Sequence, residues 1–226
     1  MTSDTPQTAP EPEDCPHCGK RPALCICESI EPIKNRIDVL VLQHPQEQDK
    51  ELGTARIAAV HFQNAVFRIG LSWPSLSKAL GREADPKRWA VLYLGSAKPS
   101  DFPPDAEVAA LGRKGKPLPD QIAALKGIQG VVVLDGTWSQ AKTLWWRNAW
   151  MLKCRRVALR PAHPSLYGKL RREPRREALS TLESVGLLVS RLEGRADIEK
   201  SLLTTFGRML DAYRKDQRSR KVESAG

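Results

Sequence analysis

Four cysteines stand within 13 residues: Cys15, Cys18, Cys25 and Cys27. A C-x2-C pair followed by a C-x-C pair offers four soft ligands, each pair spanning one edge of a tetrahedron, which is the geometry of structural zinc. Gly19 and Pro22 help the chain turn between the pairs. The alternatives are a redox C-x-x-C or four free thiols, and His17 is a spectator beside the better ligands. Four protein ligands leave no open position, so the expected role is structural.

A second group centres on Asp135-Gly136-Thr137-Trp138, directly after the run Val131-Val132-Val133-Leu134. An unbroken β-branched run is the mark of a strand buried on both faces. Ala141, Leu144 and Trp145 then follow with helical spacing. Asp135 therefore belongs at the carboxyl end of a central strand, where open α/β sheets bind ligands and a helix N-terminus favours an anion. The plain structural reading is that Asp135 or Ser139 caps the helix while Trp138 fills core. Two further segments carry similar chemistry. Ile37–Leu42 reads as a strand leading into His44 and Glu47, which line the same edge. Ser180-Thr181-Leu182-Glu183 opens a helix as a capping box, sufficient in itself as a structural reading.

The third feature is charge. The chain of 226 residues has 36 Lys plus Arg against 26 Asp plus Glu, a net charge of +10. Between Lys142 and Arg176 there are eleven basic residues and one acid, Glu173, an excess equal to that of the whole chain. Lys142, Arg160, Arg171, Arg172, Arg175 and Arg176 are the candidates for phosphate contacts. Trp145, Trp146, Trp150 and Tyr167 are interleaved with them, but the tryptophans read as packing residues rather than as platforms for bases.

The elements that must position these groups alternate between strand and helix. Ala65–Ile69, Trp89–Gly95 and Arg155–Arg160 read as further strands, with helices at 75–80, 120–126, 180–192 and from 196 onward. Residues 96–119 are rich in Pro, Gly, Lys and Asp and read as a mobile surface loop. The expectation is an α/β fold with a largely parallel sheet. Residues 1–14 read as a disordered N-terminus, 15–30 as a four-cysteine zinc knuckle, 31–213 as the α/β domain and 214–226 as a frayed basic tail. Cys154 is a small buried filler. No apolar run approaches the roughly 18 residues of a membrane span, and no signal-peptide pattern is present, so a cytoplasmic protein is expected. Neither G-x-G-x-x-G after a strand nor G-x-x-x-x-G-K-[ST] occurs, which argues against dinucleotide and P-loop sites.

Asp135-Gly136-Thr137-Trp138 resembles the D-x-T-W signature of the DTW-domain family. The cysteine arrangement, the His44-Pro45-Gln46-Glu47 segment and Ser180-Thr181-Leu182-Glu183 extend the resemblance over roughly residues 15–210. Two departures stand out: Gly53-Thr54 replaces the family's Asn-Thr, and Leu94 replaces the proline of its Tyr-Pro-Gly. The resemblance implies a SPOUT-like parallel-sheet domain with a C-terminal trefoil knot. It implies a tRNA-uridine aminocarboxypropyltransferase that moves the 3-amino-3-carboxypropyl group of S-adenosylmethionine to uridine N3, in the variable loop by analogy. The cofactor-binding residues carried over are Tyr93, Leu94, Gly95, Asp135, Thr137, Trp138, Ser180, Thr181 and Glu183. Asp135 is taken as the catalytic base that removes the N3 proton, the alternative being that it only holds the donor's ammonium. The rivals are a SPOUT-type methyltransferase using the same donor and a non-enzymatic zinc-knuckle RNA-binding protein. Monomer and homodimer both remain open.

Overall fold

In the computed structural model, the residues described are 13–92, 102–104, 106–112, 114–170 and 179–223. Among them six strands form one sheet: β1 (Asp38–Gln43), β2 (Ala65–Ile69), β3 (Trp89–Leu92), β4 (Val108–Leu111), β5 (Gly130–Asp135) and β6 (Arg155–Leu159). Their order is β2-β1-β5-β3-β6-β4. Every pairing is parallel except that of β4 with β6. The expected α/β architecture is therefore present, with one antiparallel edge strand.

The β-branched runs put core on both faces because successive side chains alternate. Val39 and Val41 of β1 and Val131 and Val133 of β5 face one cluster, which includes α1 (Ala55–Val60), α5 (Thr181–Glu193) and α6 (Ala196–Glu223). Leu40, Leu42, Val132 and Leu134 face the other, built with α2 (Leu76–Leu80) and α4 (Trp138–Arg147). A short helix α3 (Gln121–Leu125) precedes β5. Three layers result, and α5 is the most enclosed helix, buried continuously from Leu182 to Ser190.

Two sequence expectations need correction. The surface-loop reading of 96–119 missed β4, a four-residue edge strand whose backbone is completed by β6 and by Gln121, which both donates to and accepts from Ala110. The basic stretch from Arg214 does not fray within the described residues; α6 continues to Glu223. Ion pairs hold it there: Arg21 with Asp216 at 2.9 Å, and Arg220 with Asp216 at 3.1 Å and Glu51 at 3.3 Å. Residues 1–12 of the expected N-terminal disorder lie outside the described residues.

The cysteine-rich segment is packed onto the main core rather than standing apart. Leu24 is buried, and Cys15, Cys25, Ile26 and Cys27 pack against the α1/α5/α6 cluster. Cys154 is buried, as expected of a filler. No helix among the described residues is long and apolar enough to cross a membrane.

Candidate functional site

Strand register builds the site. Gln43 ends β1 and Asp135 ends β5, and the two are directly paired across the ladder. Asp135 is held through both oxygens: Gln43 Nε2 donates to Oδ2 at 2.8 Å, and the Thr181 hydroxyl donates to Oδ1 through a short hydrogen bond. The His44 amide donates to the Asp135 carbonyl at 2.9 Å, locking the two strand ends together. Gly136 makes the exit with φ +152°, where a Cβ would sit 2.9 Å from Gln140 Cβ. Only glycine fits that turn.

Two helices start at this rim. Thr137 is the N-cap of α4, in a capping box with Gln140, so neither Asp135 nor Ser139 is the cap. Ser180 caps α5 in a second box with Glu183, as the sequence implied. Thr181, in the first turn of α5, is the residue that reaches Asp135. His44 caps the short 3-10 turn Pro45–Glu47, its Nδ1 accepting from the Gln46 amide at 3.3 Å. Unpaired amides at helix starts carry partial positive charge, so a carboxylate rim is set among groups that favour an anion. Both charges of a zwitterion have a complement here.

The surroundings of the other expected residues differ from one to the next. Glu183 is 4 % exposed, and its oxygens accept from the Ser180 and Leu166 amides at 2.8 Å and from the Ser165 hydroxyl at 2.6 Å. Its carboxylate is committed to tying α5 to residues 165–166. Glu47 is buried, while Trp138 is 41 % exposed with the Lys142 ammonium over its ring. Arg160 lies over Phe102 and donates to the Pro103 carbonyl. Tyr93, Leu94, Gly95, Arg171, Arg172, Arg175 and Arg176 lie outside the described residues. Of the interleaved aromatics, Trp150 packs in the core as expected, and Tyr167, read with the others as a place for bases to stack, is buried as well. Trp146 does not pack there: it is 78 % exposed, because it falls on the solvent side of α4, opposite Ala141 and Leu144.

Gln43 was not among the residues the sequence singled out. It is 3 % exposed, and its Oε1 is buried with no hydrogen-bond partner among the described residues. A buried acceptor without a donor is costly, and such atoms in folded proteins commonly await a ligand or water. The available signal was a polar residue closing an otherwise apolar strand at a sheet's carboxyl edge.

The four cysteines form a second cluster, with all four Sγ atoms within 4.8 Å of one another. Cys15 to Cys27 and Cys18 to Cys25 are each 3.8 Å. Tetrahedral thiolates at the usual zinc–sulfur distance sit about 3.8 Å apart. Gly19, with φ +65°, donates its amide to the Cys15 carbonyl at 2.7 Å and closes the turn. Burial pushes the Cys18 thiol up to about 11 and raises Cys27 further, while backbone hydrogen bonding from Cys18 lowers Cys15 to about 6. A bound dication is what makes buried thiols into thiolates. Among the described residues, Arg56 and buried Lys20 lie beside the cluster: the Lys20 ammonium donates to the Glu51 carbonyl at 2.5 Å, and Arg56 has a buried Nε without a hydrogen-bond partner there and a guanidinium that abuts Gly19. A dication with four thiolates carries net negative charge, which complements that pair. The donor set fits a metal.

A family model described as the DTW domain matches residues 12–214. This chain belongs to the DTW-domain family. Three relatives of this DTW domain carry the name tRNA-uridine aminocarboxypropyltransferase 2. The Macaca fascicularis protein is 26 % identical over 192 residues, covering 84 % of this chain and 60 % of its own. The Mus musculus protein is 25 % identical over 197 residues, with the same coverage of 84 % and 60 %. The Drosophila melanogaster protein is 27 % identical over 195 residues, covering 84 % of this chain and 70 % of its own. The DTW domain described here thus spans about 60 % of the length of the two mammalian relatives. No solved structure matches the chain.

Proposed function

We propose that this protein is a tRNA-uridine aminocarboxypropyltransferase. It moves the 3-amino-3-carboxypropyl group of S-adenosylmethionine to N3 of a uridine in tRNA, in the variable loop, and releases methylthioadenosine. Family membership and the names of the relatives support the class. The observation that carries it on this chain is the Gln43–Asp135–Thr181 constellation at the sheet edge, set between the starts of α4 and α5.

The bound donor supplies a sulfonium whose three attached carbons are all electrophilic, so orientation decides which reacts. The protein's task is to fix the amino-acid arm. Asp135 takes the ammonium, with the orphaned Gln43 Oε1 as a second acceptor from the same amide that anchors the carboxylate. The partial positive charge of the helix starts at Thr137 and Ser180 favours the arm's carboxylate, while the Thr181 hydroxyl keeps Asp135 in position. Two donors already fixed on Asp135 favour this holding role over proton abstraction. The unpaired, reachable bases of a tRNA loop suit the acceptor better than a stem.

The same reading takes the cysteine cluster as structural zinc held by Cys15, Cys18, Cys25 and Cys27, bracing α6 through Arg21 and Asp216. It also takes the sheet as SPOUT-like with a C-terminal trefoil knot; the placement of β5 between β1 and β3, which both precede it in sequence, is the kind of crossover such a fold uses. The test is mass spectrometry of nucleosides after incubating the protein with S-adenosylmethionine and tRNA transcript. The expected products are aminocarboxypropyluridine and methylthioadenosine; a methylated base, or no product, overturns the proposal.

A further inference from the structure

Beyond the rim, the outer face of α4 has an unusual composition. Trp138, Lys142 and Trp146 stand at intervals of four, which places them along one side of a helix. Trp138 is 41 % and Trp146 78 % exposed, and Lys142 is exposed between them with its ammonium 5.6 Å from the Trp138 ring centre. Large exposed indoles lose hydrophobic stabilisation unless something covers them. The stretch itself is cationic: no Asp or Glu occurs in the sequence between Asp135 and Glu173, and exposed Arg147 and Lys153 follow the stripe. Aromatic rings interleaved with cations on a helix that carries no acid match the chemistry of unpaired nucleic acid, which offers a phosphate chain and bases with π faces. The stripe also begins at the rim, since Trp138 is three residues beyond Asp135, and it runs outward by about 12 Å over eight residues.

We propose that the exposed face of α4, carrying Trp138, Lys142 and Trp146, is a stacking platform for unpaired tRNA bases that flank the target uridine. This rests on the reading of the rim as a tRNA-modifying site. Trp146 provides the outer stacking surface, Lys142 meets a phosphate, and the indole of Trp138 guides the chain toward Asp135.

Trp146→Ala tests it, because removing a side chain that is 78 % exposed leaves the core intact. The expected result is a rise in tRNA dissociation constant and in KM for tRNA of about 5- to 100-fold. Affinity for S-adenosylmethionine and the melting temperature stay at wild-type values, and Trp146→Phe recovers part of the loss. The salt dependence of tRNA binding separates the two kinds of contact. Trp146→Ala keeps the wild-type slope, whereas Lys142→Ala lowers it by about one phosphate. Unchanged tRNA affinity and KM in Trp146→Ala overturn the platform, as does loss of binding to anionic vesicles with tRNA binding intact. Direct binding is read separately from turnover, so an absence of transfer by the wild-type protein counts against the proposed reaction and not against the platform.

Discussion

The helices that start at the rim, α4 and α5, use the same local device and end up with opposite roles. Each opens with a hydroxyl N-cap bonded reciprocally to a residue three positions on: Thr137 with Gln140 and Ser180 with Glu183. In α5 the box is buried, and Glu183 extends it to Ser165 and Leu166. In α4 the box is at the surface, and Gln140 reaches only Gln46, at 3.3 Å. A capping motif fixes where a helix begins, and burial decides how firmly. The rim thus has a fixed wall, which presents Thr181 to Asp135, and an exposed wall, which presents indoles and cations to solvent.

Removing the metal proposed for the cysteine cluster should have the largest effect, and on the fixed wall. Chelation leaves Lys20 and Arg56 without compensating thiolates and loosens Arg21 from α6, which packs on α5. A fall in melting temperature on the order of 10 °C is expected, restored by zinc and absent in a chain already lacking the cluster. Glu183→Ala comes next. It strands three donors and should cost about 3 kcal/mol in urea unfolding, against less than about 1 kcal/mol for Gln140→Ala. Equal costs would break the comparison. The caps themselves should differ in the same direction but less, with Ser180→Ala costing about 1–2 kcal/mol and Thr137→Ala about 0.5–1 kcal/mol.

The smallest effect is one of pH. His61 is buried in the α5/α6 layer, between the Ile57 carbonyl and Thr205, and burial holds it below the ordinary histidine range. The unfolded chain therefore binds an extra proton below about pH 6.5, so stability falls on acidification from that pH and is flat in this group above it. At saturating zinc, His61→Gln should unfold with a shallower dependence between about pH 7 and about pH 5.5 than wild type.

How much of this was legible from residues follows the range of the forces involved. β1 and β5 announce themselves because a strand buried on both faces needs continuous apolar residues, and the cysteine cluster because metal spacing is local. The α5 box was legible for the same reason. β4 was not: Val108-Ala109-Ala110-Leu111 has weak strand character, and its pairing is supplied by β6 across the sheet. Nor was the length of α6, whose basic end is held by Glu51 and Arg21 from distant parts of the chain. The bonds of Glu183 to residues 165 and 166 were not legible either, because those partners lie 18 and 17 positions away in the chain. Trp146 and Gln43 were misjudged or missed because exposure and an unpaired atom exist only in three dimensions.

Asp135 lies at the junction of the two walls, and the proposed holding of the donor rests on it. Calorimetric titration of S-adenosylmethionine into wild type and Asp135→Asn measures that role directly. Loss of affinity by about 100-fold or more, with the fold intact, is the predicted result. Wild-type affinity combined with abolished transfer would contradict it and make Asp135 the base.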